Sequence, residues 1–325
     1  MVAGRRRFVV EMSDSTTPDF SQPVRAAEDT TIAVVRRGLA RPVRQALSML
    51  LLLLILAFVW ESVKWIGGNP WRVDNNPLGL EHDPPYRFKF ASDLNLPHLW
   101  DIGEAFGNPS RRNGPPLIHT LIDAAIFTFR EAFIGFIFGG VLGFVLGAVF
   151  AHSNLLERGV MPYVVASQTV PILAIAPMVV IWLQAGWLSV AVIAAYLTFF
   201  PVTINTLRGL RSPDPMAVEL MRSYAASRWH ILWKLRVPAA LPYIFTALKV
   251  SATASVVGAI IGELPSGIRG GLGGAILNFN SFYISGPSRL WAAILASAAV
   301  GITFYLLVTA SEAIVLRGRQ RRLDG

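Results

Sequence analysis

Residues Ser212 to Pro242 read SPDPMAVELMRSYAASRWHILWKLRVPAALP, and this stretch decides how the rest of the chain is divided. It joins two strongly apolar segments but carries basic side chains of its own, at Arg222, Arg228, Lys234 and Arg236. Each such charge would cost about 2.5–3.5 kcal/mol at the centre of a bilayer on the insertion scale. The stretch therefore has to lie outside the hydrocarbon core, between two membrane spans.

The same stretch has the composition of an ordered loop. Pro215 suits a first helical turn, with Ser212 or Asp214 as its N-cap. Apolar residues then follow at helical spacing, at Ala217, Leu220, Met221, Tyr224 and Ala225. We expect a second short helix after Ser227 that ends near Pro238, because proline interrupts a helix interior. Two short helices on a basic loop predict a docking surface for another protein.

Part of this stretch resembles the cytoplasmic loop of bacterial ABC importer permeases, whose pattern is E-A-A, three residues, G, nine residues, I-x-L-P. Glu219 matches the acid of that pattern, and the run from Leu235 to Pro238 lies at the distance of its tail. The run from Ala225 to Arg228 resembles the G-A-S-R form of the nitrate/sulfonate/taurine branch. The departures are Leu220 and Met221 for the alanines and Ala225 for the glycine, which would permit a left-handed turn that alanine resists.

This resemblance covers roughly residues 115–316 and implies an all-α polytopic membrane protein of the bacterial inner membrane, with about six transmembrane helices and a cytoplasmic coupling-helix loop. Such permeases bind cytoplasmic ATP-binding subunits, receive substrate from an external binding protein, and pair as homodimers or with a paralogous permease. Substrates in this branch include nitrate, sulfonates, taurine and pyrimidine or riboflavin precursors. The stretch ALKVSATASVVGAIIGEL is similar to the vitamin-precursor subgroup. The contacts with the ATPase implied by the resemblance are Glu219, Leu220, Met221, Tyr224, Ala225, Ser227, Arg228, Leu235 and Pro238.

Composition agrees with a membrane protein. The 325 residues are 53% hydrophobic, and their mean hydropathy is +0.50, which excludes an ordinary soluble domain. The formal net charge is +9, but the basic residues cluster beside apolar segments, as cytoplasmic anchors do, so we expect a lipid bilayer and not a nucleic acid as the partner. The chain has no cysteine, which excludes disulfides and thiolate metal sites. We expect no metal and no cofactor.

The placement of arginine and lysine predicts that both termini are cytoplasmic. The predicted order is a basic tail of disordered composition (1–45), a first transmembrane helix (46–66), an external loop (67–116), a five-helix permease core with the coupling loop at 212–240 (117–316) and a second cytoplasmic tail (317–325). The external loop serves either as a cap or as a contact for an external partner. Residues 117–130 are amphipathic and predict an interfacial helix that precedes a span at 133–151.

Small and polar residues mark positions inside the predicted spans. Four glycines at four-residue spacing predict close packing against a neighbouring helix, at Gly135, Gly139, Gly143 and Gly147. Prolines in the span at 160–183 predict a kink, which is either a tolerated irregularity or part of a substrate path. Polar side chains in the central spans are candidates to line that path, at Gln168, Thr169, Asn205 and Ser251.

Two charged residues lie within the predicted span at 241–264. Lys249 is either a functional site or a side chain that reaches the lipid phosphates. Glu263 lies near the outer end, where we expect it to be solvated. After it, the glycine-rich run at 265–289 includes GLGGAILNF, which predicts a short re-entrant or interfacial helix.

No G-x-x-x-x-G-K-[ST] motif, metal-ligand cluster or G-x-S-x-G elbow occurs in the sequence. The chain is therefore interpreted as a transport subunit and not an enzyme, with ATP hydrolysis in a separate chain. The alternative is a secondary transporter or channel that works without an ATPase. Such transporters usually bury ion-coupling acids in their spans. Because the predicted spans are poor in acids, the importer permease is favoured.

Overall fold

The computed structural model describes residues 47–72, 77, 79–110 and 114–323, with side chains up to Leu316. The chain divides into two units, residues 1–63 and 64–325. The predicted basic tail at 1–45 lies outside the described residues. In the first unit, residues 47–63 are helical and form most of α1 (Leu47–Gly67).

The second unit is built from helices and turns, and its described residues include no strand. The helices are α2 (Leu99–Gly107), α3 (Leu117–His152), α4 (Asn154–Ser167), α5 (Ile172–Leu183), α6 (Trp187–Leu210), α7 (Pro215–Ser223), α8 (Arg228–Ile231), α9 (Val237–Ser266), α10 (Leu272–Ser281) and α11 (Pro287–Leu323). In the described part of the chain, five helices are long and apolar enough to cross a membrane, or six if the bent pair α4–α5 is one span. The predicted all-α fold with about six transmembrane helices is confirmed.

Helix α6 lies between α3 and α9, and glycines allow the close approach. A Cβ atom added to Gly139 would lie 2.4 Å from the carbonyl oxygen of Ala195, and one added to Gly143 would lie 2.4 Å from that of Phe199. From the other side, a Cβ on Gly258 of α9 would lie 2.8 Å from the Cα of Ala194. The stripe Gly135, Gly139, Gly143 and Gly147 therefore faces α6 along its whole length.

Helix α3 is longer than the sequence analysis predicts. The interfacial helix expected at 117–130 and the span expected at 133–151 form a single helix of 36 residues. The prediction of two separate elements is wrong, because a change of amphipathicity does not interrupt backbone hydrogen bonds. At 1.5 Å per residue the helix is about 54 Å long, well beyond the roughly 30 Å of a hydrocarbon core. Part of α3 therefore protrudes from the membrane.

The second short helix of the loop does not end near Pro238, so that prediction is also wrong. A π-helical turn over Leu232–Arg236 follows α8, and the Val237 amide donates to the Leu232 carbonyl five residues back. Pro238 then falls in the first turn of α9, where its missing N–H costs little. As a result Arg228–Ser266 is one apolar helix of 39 residues, and the loop is joined rigidly to a span.

The predicted third span is broken. Helices α4 and α5 meet at an angle of 96°, and the break at Gln168–Pro171 ends at a proline that caps α5. The residue before a proline avoids the helical region, and proline has no amide to donate, so the helix ends there. The Tyr196 hydroxyl of α6 donates to the Ser167 carbonyl at the end of α4, which ties the break to the central helix.

Glu263 is buried, not solvated, and only 1% exposed. Its carboxylate accepts a hydrogen bond from the Thr128 hydroxyl of α3 at 2.6 Å and another from the Gly273 amide of α10 at 2.6 Å. A Cβ on Gly271 would lie 2.3 Å from this carboxylate. The glycines of GLGGAILNF therefore let the backbone at the start of α10 approach an acid, and the predicted short helix is present as α10.

The long helices also contain two acids that were not considered in the sequence analysis, Glu131 and Glu312. Glu131, on α3, is 3% exposed and lies beside Glu263. Glu312, on α11, forms an ion pair with Lys249 of α9 at 2.8 Å. Lys249 is therefore paired with a carboxylate of the helix bundle, which disfavours the alternative in which it reaches the lipid phosphates. The scarcity of acids no longer argues against a secondary transporter.

The external loop is ordered over residues 79–110. The ammonium group of Lys64, fully buried, donates to Asp93 at 2.5 Å and to the carbonyl of Leu96 at 2.6 Å. Next to them the Trp71 ring makes edge contacts with four aromatic or imidazole rings, those of Trp65, His82, His98 and Trp100. These contacts describe a loop with its own small core.

The packing of α3 on α6 can be tested with neighbouring glycines. Gly139→Ala should lower the melting temperature of the purified protein, because the added methyl group meets the Ala195 backbone. We expect the free energy of unfolding to fall by roughly 1–3 kcal/mol. Gly140→Ala is the matched control, since a Cβ there would lie 3.8 Å from Leu248 and nothing nearer. Equal melting temperatures for the two variants would contradict this packing.

Candidate functional site

Helix α7 begins with a well-formed cap. Of the two predicted N-caps, the structure uses Asp214, whose side chain accepts a hydrogen bond from the Met216 amide at 2.8 Å. Pro215 occupies the first helical position, as predicted. Because an N-cap contributes about 1 kcal/mol, this short helix is ordered by its own sequence even though it buries none of its residues.

At the C-terminal end of α7, Ala225 stands where the pattern of the importer permeases has a glycine. Ala225 has φ +55°, in the left-handed region. Its amide donates to the Arg222 carbonyl at 2.9 Å, and the Ala226 amide donates to the Met221 carbonyl at 3.0 Å. These two bonds are those of a Schellman motif, which usually has glycine at the left-handed position. The alanine therefore keeps the turn but holds it under strain.

The outer face of α7 is an exposed apolar stripe. Met216, Leu220 and Tyr224 follow at four-residue spacing and are 76%, 58% and 80% exposed. The predicted apolar positions included Leu220 and Tyr224 but not Met216. Met221, also predicted to make contacts, is only partly exposed. This stripe, Met216–Leu220–Tyr224, is the part of α7 that is free to bind another protein.

Glu219 is an exposed residue of α7. It lines a cavity of about 260 Å³ together with Arg211, Arg222 and Arg236. The acid of the predicted motif therefore shares this cavity with three arginines of its own chain.

The remaining loop residues form the start of the long helix. The Ser227 hydroxyl caps α8 and accepts a hydrogen bond from the His230 amide at 3.2 Å. Arg228 is exposed at the first position of α8. Leu235 and Pro238 are partly buried in and after the π-helical turn. The predicted contact residues therefore include exposed ones, such as Arg228, and partly buried ones, Leu235 and Pro238, which the sequence did not distinguish.

An ion pair that the sequence analysis missed joins the loop to α4. Arg211, just before the loop, makes a two-pronged contact with Glu157, with Nη1 to Oε1 at 2.9 Å and Nη2 to Oε2 at 2.5 Å. Its Nη2 also donates to Asn154 Oδ1 and to the Phe150 carbonyl, both at 3.2 Å. The separation of 54 residues hides this pair in the sequence. Any displacement of the α6–α7 junction therefore acts on the first turn of α4.

The predicted path residues do not form one cluster. Gln168 and Thr169 lie at the α4–α5 break, and the Thr169 hydroxyl, which is exposed, bonds the Ala166 carbonyl at 2.8 Å. Asn205 donates to the Pro201 carbonyl within α6 at 2.8 Å. Ser251 is fully buried and donates to the Thr198 carbonyl of α6 at 3.3 Å. Ser251 thus makes an interhelical hydrogen bond, and the role of all four residues in a substrate path stays a prediction.

Comparison with known proteins gives a consistent result. Residues 139–317 match the family described as binding-protein-dependent transport system inner membrane component. The matched range includes most of the glycine stripe, the α4–α5 break and the whole of the loop between α6 and α9.

Two curated relatives are each 33% identical to this chain. The riboflavin transport system permease protein of Chloroflexus aurantiacus matches 51% of this chain and 61% of its own length. The formylaminopyrimidine transport permease protein of Halalkalibacterium halodurans matches 70% of this chain and 94% of its own length. A chain of the inward-facing MetNI methionine ABC transporter superposes with a TM-score of 0.53 at 16% identity, over 62% of this chain and 97% of that one. This last match shows likeness of fold.

The strain at Ala225 can be tested by two adjacent substitutions. Ala225→Gly should slow hydrogen exchange of the Ala226 amide in the purified protein, because glycine adopts a left-handed φ without the cost of about 1–2 kcal/mol. Ala226→Gly, at a position without positive φ, should instead speed exchange of the amides in this turn. The strained turn would be disproved if Ala225→Gly also sped exchange.

Proposed function

Since this chain belongs to the family of binding-protein-dependent transport system inner membrane components, we propose that its α7 docks into a groove on a cytoplasmic ATP-binding subunit. The chain is the membrane permease subunit of an ABC importer. The observation that carries the proposal is the stripe Met216–Leu220–Tyr224, which is exposed on a helix that is capped at both ends.

The stripe has the spacing and chemistry of a helix-in-groove contact. Such helices are recognised through apolar anchors on one face. Burial of each large apolar side chain contributes about 1.5–3 kcal/mol, so three anchors on α7 would supply much of the free energy of binding in the partner's groove. Glu219 and the neighbouring arginines would fix register and orientation more than affinity.

Movement of α7 would reach the spans by two rigid connections. On one side, α8 and α9 form a continuous helix, so a shift of the loop turns α9 directly. On the other, Arg211 holds Glu157 and Asn154 at the start of α4. Helix α4 leads to the break at Gln168–Pro171, where the polar groups of Gln168 and Thr169 would line the substrate path. ATP hydrolysis in the partner would thereby open or close that path.

The loop must face the cytoplasm for this account to hold, and with it the turn at 152–159 and both termini. The support is the concentration of basic residues in the loop, including Arg222, Arg228 and Lys234. Because the chain lacks cysteine, single-cysteine variants give a direct test. An impermeant maleimide added to whole cells should label Ser281→Cys but not Ser223→Cys. Labelling of Ser223→Cys from outside would reverse the topology.

A second permease copy and an external binding protein complete the proposed importer. Large apolar side chains along α4 and α5 are exposed, among them Tyr163, Ile181 and Trp182 at 75%, 75% and 74%. This face would pack against the second copy, identical or paralogous, with the path between the two copies. The binding protein would deliver substrate at the opposite end, where α10 and the external loop lie.

For the substrate, we favour a small planar heterocycle of the vitamin-precursor type over nitrate, sulfonates or taurine. The support is that the two relatives at 33% identity are named for riboflavin and formylaminopyrimidine transport. Uptake of labelled riboflavin or a pyrimidine precursor by cells that overproduce the complete importer would test this. Uptake of nitrate or taurine alone would contradict it.

The docking role of α7 can be tested by loss of one anchor. Leu220→Gln should reduce co-purification of the ATP-binding subunit at least tenfold, because it removes a central apolar contact from the interface. Ile284→Gln is the control, since Ile284 is an equally apolar and even more exposed residue, at 85%, in the turn after α10. Undiminished complex formation by Leu220→Gln would contradict docking through the stripe.

A further inference from the structure

A groove of about 560 Å³ opens beside the second half of the loop. Its walls come from the end of α3, the start of α4 and the turn that leads into α9, and most lining side chains are apolar. Phe144 and Val149 line it from α3, and Trp233 lines it from the π-helical turn. Leu210 and Leu232 also line it and are 0% and 8% exposed, so part of the groove wall belongs to a buried apolar cluster.

The groove extends from membrane depth to the polar boundary. Phe144 and His152 both line it and are eight residues apart on α3, or about 12 Å at 1.5 Å per residue. Phe144 lies within the predicted apolar span at 133–151 of α3, which ends just before His152. His152 is the last residue of α3, and Arg228 is the first of α8. One end of the groove is therefore apolar and deep, and the other is basic and accessible.

The accessible end has the residues of a membrane boundary. Trp229 and Trp233 are 70% and 57% exposed, and indole rings favour the headgroup region. Arg228 supplies a guanidinium group that can pair with a phosphate through two parallel hydrogen bonds. The His152 ring uses Nδ1 to donate to the Ala148 carbonyl at 2.8 Å, so its other nitrogen is left for a ligand.

We propose that this groove binds a membrane phospholipid, with an acyl chain along α3 and an anionic headgroup on Arg228. A phospholipid joins a long apolar chain to a phosphate at the membrane boundary. The groove has the same arrangement, with apolar side chains at the Phe144 end and Arg228 at the other end. A soluble ATP-binding subunit could reach Arg228 but not the depth of Phe144. Arg228, grouped with the ATPase contacts by resemblance, is therefore assigned to lipid. The site is separate from the docking stripe on α7 and does not rest on it.

The bound lipid would contact the π-helical turn that connects the loop to α9. Trp233 belongs to both the groove and that turn. Movement of the loop would then displace a wall of the lipid site, so the lipid composition of the membrane would influence the coupling of the loop to the spans.

Binding can be measured on the purified full chain after delipidation, by native mass spectrometry with added phosphatidylglycerol. Wild-type protein should retain a lipid adduct. Val145→Trp should abolish it by filling the groove, whereas Val141→Trp, one turn away on α3 and outside the groove, should not. Arg228→Gln should weaken retention about tenfold through loss of the charged hydrogen bonds, whereas Lys234→Gln, exposed and outside the groove, should not.

Wild-type retention by both Val145→Trp and Arg228→Gln would overturn the proposal, as would equal losses in the two control variants. Because Arg228 is exposed, its variant should fold even if Val145→Trp does not. Phosphatidylcholine held as tightly as phosphatidylglycerol would overturn the assignment of the headgroup to Arg228. In intact membranes, a photoreactive benzoylphenylalanine at Trp233 should cross-link to lipid. Cross-linking instead to the ATP-binding subunit or to a second permease would assign the groove to that protein and overturn the lipid site.

Discussion

The contact between the glycine stripe of α3 and the backbone of α6 is the constraint on which the other helices depend. At Gly139 and Gly143 α3 carries no side chain, so the backbone of α6 at Ala195 and Phe199 and the Cβ atoms of Thr198 and Val202 pack directly against it. Helix α9 approaches the opposite side of α6 in the same way, through Gly258 and Gly262. In a bilayer, where burial of apolar surface gives little advantage, such close backbone packing is a main source of association between helices. Because α3 and α9 also share a buried apolar cluster, the three helices form one tightly packed bundle.

The loop between α6 and α9 is joined at both ends to this packed set of helices. Helix α6 ends at Leu210, and the next residue, Arg211, forms an ion pair with Glu157 of α4. Helix α9 continues without a stop from the loop. The strained turn at Ala225 and the break at Gln168–Pro171 are irregular points between these stiff elements. Motion imposed on α7 would therefore concentrate at the break, where it would alter the proposed substrate path.

The sequence predicts local features well and long-range pairs poorly. The cap at Asp214, the helical fold and the short helix after Arg269 follow from local rules of capping and periodicity. The ion pair of Arg211 with Glu157 and the buried carboxylate of Glu263 depend on helices that are far apart in the chain, so no spacing rule reveals them. Pro238 misled the prediction because a π-helical turn can absorb a proline that would otherwise end a helix. The glycines before α10 could be noticed but not explained until the acid they approach was known.

We infer that the ion pair of Arg211 and Glu157 passes motion from the loop to α4. It can be tested by the number of substrate molecules transported per ATP hydrolysed, in liposomes that contain the complete importer. For Arg211→Gln we expect normal assembly and continued ATP hydrolysis but a marked fall in transport per ATP, with no further fall when Glu157→Gln is added. Arg208→Gln, an exposed arginine one turn earlier, should leave the ratio unchanged. A wild-type ratio for Arg211→Gln would show that this ion pair does not transmit the motion.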